Sequence, residues 1–126
     1  MERMPRMSRF VLKKVNTGLK FDLLAANGEE ILTSEVYGSR SACLRGIESV
    51  RKIAPSAPLE NRTEPDPVPF PNPKFQLYAD KTGEFRFRLR SRNGKIIAVS
   101  DGYSTKAAAL SGIESVRKNA AAAEIV

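Results

Sequence analysis

GIESVRK occupies Gly46–Lys52, and the same seven residues stand again at Gly112–Lys118. Working outward, NGEEILTSEVYGSRSACLRGIESVRKIA (Asn27–Ala54) lies over NGKIIAVSDGYSTKAAALSGIESVRKNA (Asn93–Ala120) without a gap, and more than half of these positions are identical. Further upstream Phe10 falls on Phe75 and Gly18 on Gly83, with the first copy one residue shorter across its second strand. Self-similarity of this strength marks two copies of one supersecondary unit. The copies run over 9–54 and 74–120, separated by a proline-rich stretch, 55–73, and followed by a short tail or strand, 121–126.

Within a copy the apolar period changes from two to 3.6. KFQLYAD alternates through Phe75, Leu77 and Ala79. EFRFRLR places Phe85, Phe87 and Leu89 on one side and Arg86, Arg88 and Arg90 on the other, and KIIAVS is β-branched. The stretches DKTG and SRNG supply turns, Asn-Gly being a strong hairpin signal. A helix comes next, capped by Ser39 or Ser41 in the first copy and by Ser104 or Thr105 in the second. Cys43, Ile47, Val50 and Ala54 form its apolar stripe, repeated by Ala109, Ile113, Val116 and Ala120. Glu48 precedes Lys52 by four and Glu114 precedes Lys118 likewise, a favourable spacing for helix ion pairs. Gly46 and Gly112 cost the helix about 1 kcal/mol each against Ala, and the expected return is close approach of helix backbone to sheet backbone.

A β-β-β-α unit of this size buries too little surface to stand alone and leaves raw sheet edges. The expectation is therefore an α+β fold in which tandem β-β-β-α repeats form one pseudo-two-fold domain. Its antiparallel sheet is continuous and carries both helices on one face. Seven of the eight prolines lie in 55–73. Proline lacks an amide donor and fixes its own φ, so this stretch reads as an extended tether spanning on the order of 60 Å.

These residues resemble the YegP-like family, small bacterial proteins of unknown function that occur as dimerising single copies or as tandem copies. The second copy carries the family pattern at Gly83, Phe85, Phe87, Leu89, Asn93, Gly94, Ile97, Ser100, Tyr103, Lys106, Gly112, Ile113, Ser115 and Val116. The first copy matches it with Arg40 in place of the lysine. The resemblance implies a β-β-β-α(-β) repeat in which two units share one sheet and exchange the segment after each helix. It supplies no activity.

The chain holds 21 Lys+Arg against 14 Asp+Glu, a net charge of +7, with no His and no Trp. Lack of His removes the usual general base near neutral pH and the commonest metal ligand. Cys43 is the only cysteine, which excludes an intrachain disulfide and fits a cytoplasmic address. It has no His to activate it and reads as a small core side chain. Glu29 and Glu30 read as solvated carboxylates beside a turn. No apolar run is long enough for a membrane span, and MERMPRM does not lead into a secretory leader. Met4 and Met7 are alternative starts. No enzyme activity, metal or cofactor is expected.

The basic balance favours anionic partners. Copy one carries 8 basic and 5 acidic residues, hence +3; copy two carries 10 and 4, hence +6. Arg86, Arg88 and Arg90 stand about 7 Å apart along one strand face. Tyr78 shares that face, and Arg92 and Lys95 flank the turn. This is a candidate site for nucleic acid or another polyanion, by charge and stacking. The alternative is a solvated face kept free of edge pairing by charge. In copy one the matching positions are Lys20, Asp22 and Leu24, which do not repeat the row. Tyr37 and Tyr103, at the same place before each helix, read as phenols packed at a sheet–helix corner with hydroxyls bonded to backbone. The alternative is a paired recess at the pseudo-two-fold, with Arg40 and Lys106 as anion donors. The functional expectation is thus a basic binding module that leans towards a polyanion, with a structural or protein-partner module as the other reading. A monomer with internal pseudo-symmetry is expected, an exchanged dimer being the alternative.

Overall fold

Each repeat begins with a hairpin whose turn fixes the register of its two strands. A computed structural model describes residues 7–126; Met4 lies outside the described residues. In the first repeat β1 (Arg9–Val15) and β2 (Gly18–Leu24) join through the two residues Asn16 and Thr17, with Val15 opposite Gly18. In the second, β5 (Lys74–Ala79) and β6 (Phe85–Arg90) are joined by Asp80–Glu84, where Gly83 takes φ +87°. The length difference between copies therefore lies in this turn and not, as expected, in the second strand. Phe21 and Phe87 are equivalent, because each N–H donates to the serine hydroxyl of Ser34 or Ser100 at 2.9 Å.

The third strands, β3 (Glu30–Ser34) and β7 (Ile96–Val99), come after Asn-Gly turns in which Gly28 and Gly94 supply the positive φ. They pair with each other, antiparallel, at Thr33–Val99 and Ser34–Ala98. Thr33 and Val99 are equivalent residues, so the pseudo-two-fold axis passes through that pair. A register shift falls at Leu23/Leu24 in one repeat and at Leu89/Arg90 in the other, the same place in both.

Helices α1 (Arg40–Ile53) and α2 (Lys106–Asn119) are capped by Ser39 and Thr105, each side chain accepting from the N–H three residues on. Beyond each helix comes a short strand, β4 (Leu59–Asn61) or β8 (Glu124–Ile125). β4 leaves the first repeat to pair with β5 of the second, and β8 leaves the second to pair with β1 of the first. The eight-stranded sheet runs β4-β5-β6-β7-β3-β2-β1-β8. It is antiparallel through its six central strands and mixed overall, because both exchanged edge strands pair parallel.

The exchange corrects the reading of 55–73 as an extended tether. Pro58 accepts from the Phe75 N–H at 2.8 Å, and the Arg62 N–H donates to the Leu77 carbonyl at 2.8 Å. Leu59–Asn61 contains no proline, so an unbroken edge strand fits between the proline positions. The buried carboxylate of Glu60 then draws the rest of the segment back, accepting from the Phe70 N–H at 2.9 Å and from Lys74 Nζ at 2.7 Å.

One apolar core runs through both repeats. Phe10, Phe21, Leu23, Leu32, Ile47 and Val50 belong to the same cluster as Phe75, Phe87, Leu89, Ile113 and Val116. Gly46 and Gly112 face this core, and the reason differs from the expectation. A Cβ on Gly46 would stand 2.3 Å from Tyr37 Oη and 3.1 Å from Phe21 Cε2, and one on Gly112 would stand 2.6 Å from Tyr103 Oη and 2.9 Å from Phe87 Cε2. The glycines make room for aromatic rings, not for sheet backbone.

Candidate anion-binding face

Strand alternation puts Arg86, Arg88 and Arg90 on the face of the sheet away from the helices, with Gln76, Tyr78 and Glu60 on neighbouring strands. Their surroundings split the row. Arg86 Nε binds Asp80 at 2.8 Å and its guanidinium also reaches the Ser100 carbonyl at 3.3 Å. Asp80 caps its own turn, accepting from Thr82 at 2.6 Å. The Thr82 hydroxyl and Arg86 hold its carboxyl well below the usual range.

Arg88 and Arg90 differ. Arg88 Nε and Arg90 Nε donate to one acceptor, Gln76 Oε1, at 2.8 and 2.6 Å. Gln76 is oriented by its Nε2, which donates to Glu60 Oε2 at 2.6 Å. Arg90 donates also to the Gly94 carbonyl at 2.6 Å, and the Arg88 guanidinium lies 4.7 Å from the centre of the Tyr78 ring. Among the described residues neither Arg88 nor Arg90 is in an ion pair. Burial, then the neighbouring Arg90 charge, pushes the Arg88 pKa down. The result is a pair of guanidiniums fixed side by side, half-buried, with no carboxylate of their own.

Glu60 explains how the pair stays in place. Burial opposes its charge, but hydrogen bonds from Lys74, Gln76, the Phe70 N–H and Arg62 outweigh that and bring its pKa down to about 2. It is the hub that positions Gln76, and sequence reasoning missed it because it sits among prolines with no periodicity around it. In the first repeat Asp22 occupies the place of Arg88 and is fully buried, paired with Lys13 at 2.5 Å and Thr33 Oγ1 at 2.7 Å. Burial raises its pKa, but Lys13 and Thr33 more than reverse this. The first half of the face is therefore internally compensated.

The other residues singled out lie apart from this pair. Lys95 Nζ is 3.5 Å from Glu35, and Arg92 lies beside α1 on the helix side of the sheet. Tyr37 and Tyr103 stack within their own repeats on Phe21 and Phe87, ring centres 6.2 and 6.1 Å apart. Burial pushes the Tyr37 phenol up to about 12 and the Tyr103 phenol in the same direction. Each tyrosine is held by two backbone hydrogen bonds, to Leu19 or to Phe85. The hydroxyl end abuts the helix glycine, which takes the place of the expected hydroxyl–backbone bond. Among the described residues, three cavities of about 740, 490 and 450 Å3 are none of them lined by both tyrosines, nor by Arg40 or Lys106. Lys106 Nζ stands 3.8 Å from Glu64. Cys43 is buried, and burial pushes its thiol up. No helix among the described residues is long and apolar enough to cross a membrane.

A family model described as "Domain of unknown function (DUF1508)" matches residues 15–61 and 80–126. Each matched segment runs past the helix to include the exchanged strand. The chain is 37% identical over 112 residues to a UPF0339 protein of Pseudomonas aeruginosa, covering 88% of each. It is 58% identical over 53 residues to a UPF0339 protein of Treponema denticola, covering 42% of this chain and 91% of that one. Among solved structures it is similar to yegP from E. coli, a protein of unknown function, with a TM-score of 0.77, 30% identity, and coverage of 98% of this chain and 94% of that one. UPF0339 protein SO3888 from Shewanella oneidensis also has a TM-score of 0.77, at 32% identity over 97% of this chain and 90% of that one.

Proposed function

The chain belongs to the DUF1508 (UPF0339) family, whose description assigns no activity, and on that premise we propose that it is a small non-enzymatic module that binds a polyanion on the open sheet face of its second repeat. The observation that carries this reading is the uncompensated pair, Arg88 and Arg90, braced on the single acceptor Gln76 Oε1. Two guanidiniums held rigidly and half-desolvated are matched to phosphate oxygens and lose little entropy on contact. The Tyr78 ring carries the Arg88 guanidinium on one face, so phosphate contact and not base stacking dominates. Arg86 is engaged by Asp80 and contributes field more than contact. A buried, unactivated Cys43 and a chain without His support the non-enzymatic part of the reading.

Fluorescence polarisation with short DNA and RNA oligonucleotides tests it. Binding is expected at low salt, with the slope of log affinity against log salt reduced by about 2 in R88Q/R90Q. No binding by the natural chain at low salt would end the reading.

A second reading, a protein-partner module acting through its proline segment, is favoured by one observation: Val68 and Phe70 lie exposed there. A pull-down that survives high salt and is lost in V68S/F70S supports it. In both readings the chain acts as a cytoplasmic monomer, each repeat supplying the edge strand its neighbour needs.

A further inference from the structure

The pseudo-two-fold generates two related grooves on the helix side of the sheet, and they have diverged. Each is formed between the helix of one repeat and the third-strand turn of the other. The first, about 490 Å3, is lined by Arg45, Ser49, Lys52 and Ile53 of α1 and by Arg92 and Asn93 of the β6–β7 turn, with Glu48 and Ser91 alongside. The second, about 450 Å3, is lined by Asn27 and Glu29 of the β2–β3 turn and by Ser111 and Ser115 of α2, with Tyr103 at one end. Ser49 matches Ser115 and Asn93 matches Asn27. Arg45 and Arg92, however, are replaced by Ser111 and Ala26.

Charge is therefore concentrated in one groove of the pair. Of the side chains lining it, the one carboxylate is already engaged: Glu48 accepts from Arg51 at 2.6 Å. Among the described residues Arg45 donates only to the Ser41 hydroxyl at 3.1 Å, and neither Lys52 nor Arg92 is in an ion pair. Three cations thus line one concave surface, together with the Ser49 and Ser91 hydroxyls, the Asn93 amide and an apolar wall from Ile53. This volume lies within the range of small-molecule sites, roughly 300–1,000 Å3.

We infer that the α1/β6–β7 groove is a binding site for a phosphate monoester with a small apolar body, separate from the open sheet face. Arg45, Lys52 and Arg92 take the phosphate, which carries a charge of about −2 near neutral pH. The apolar part lies against Ile53 and the aliphatic stems of the arginines and lysine. The related groove repeats the Ser49 hydroxyl and the Asn93 amide but has Ala25 in place of Ser91 and is lined by none of the three cations, so the molecule contains its own control.

The test is an amide NMR titration of the full chain with phenyl phosphate, inorganic phosphate and benzyl alcohol. Saturable shifts are expected at Ser49, Lys52 and Ser91–Asn93, with phenyl phosphate tighter than inorganic phosphate and benzyl alcohol without effect. Ser115 and Asn27 stay in place. R45S/R92A, which copies the other groove, is expected to weaken phenyl phosphate by at least about tenfold through loss of two charge-assisted contacts. R45K/R92K retains binding, and so does R88Q/R90Q, whose changes lie on the opposite face. Equal shifts in both grooves, no saturation at millimolar phosphate, or binding unaltered in R45S/R92A would each overturn the assignment. Loss of oligonucleotide binding alone bears only on the sheet face.

Discussion

The glycine of the repeated phrase stands where a tyrosine reaches the helix from outside, Tyr37 at Gly46 and Tyr103 at Gly112. G46A or G112A gains about 1 kcal/mol of helix propensity but drives a methyl into a packed ring. A net loss of about 1–2 kcal/mol in urea unfolding is expected. Because Tyr37 Oη is the nearest atom, Y37F recovers part of the loss in G46A. Glu60 gives a second test. Its folded pKa, about 2, lies below the ordinary 4.5, so the stability it contributes is complete above pH 4.5 and is lost as pH falls towards 2. In E60Q that part of the acid transition disappears, and stability at neutral pH drops by about 2 kcal/mol because Lys74 loses its counter-charge. A pH series of denaturant melts reads both effects.

At the scale of elements, helices and central strands were plain in the sequence because period and caps agree. The exchanged strands were not, being two and three residues long, below the length at which alternation is readable. The resemblance supplied them and the residues did not. What secures them lies in the repeated phrase itself. Its glutamate was expected to pair with lysine; instead Glu48 takes Arg51 and Glu114 takes Arg117, both at i+3. The second arm of each guanidinium reaches the incoming strand: Arg51 donates to the Ala123 carbonyl, and Arg117 to the Ala57 carbonyl at 2.9 Å. Each also covers a phenylalanine of the strand being joined, Phe10 or Phe75, at 5.7 and 5.5 Å. R51A is therefore expected to cost about 1.5–3 kcal/mol. It should accelerate amide exchange at Leu12 and Val126, whose hydrogen bonds join β1 to the chain's last residue. R117A does the same at Arg62 and Phe75, and unchanged exchange at those amides would refute the clamp.

The whole molecule is a closed exchange: each half is finished by a strand from the other, and the core does not divide between them. The pseudo-symmetry of the fold was legible from repetition alone. Its asymmetries of charge were legible only as a count, +3 against +6. Which arginines remain uncompensated depends on Gln76, Glu60 and Asp80, and their partners emerge only after folding. Residues 70–126 alone would lack β4, lose β1 as the seat for β8, and expose β7. Such a fragment is expected to unfold without cooperativity or to associate with itself, measured by thermal melting and sedimentation equilibrium. A stable monomer melting in one step would refute this.

The parallel seat of β8 on β1 also sets how the molecule answers to tension. A load applied between Ser8 and Val126 pulls these two strands along their own axes in opposite senses. Their shared hydrogen bonds, Val126 to Phe10 and Leu12 to Val126, are then strained together in shear instead of being unzipped one after another.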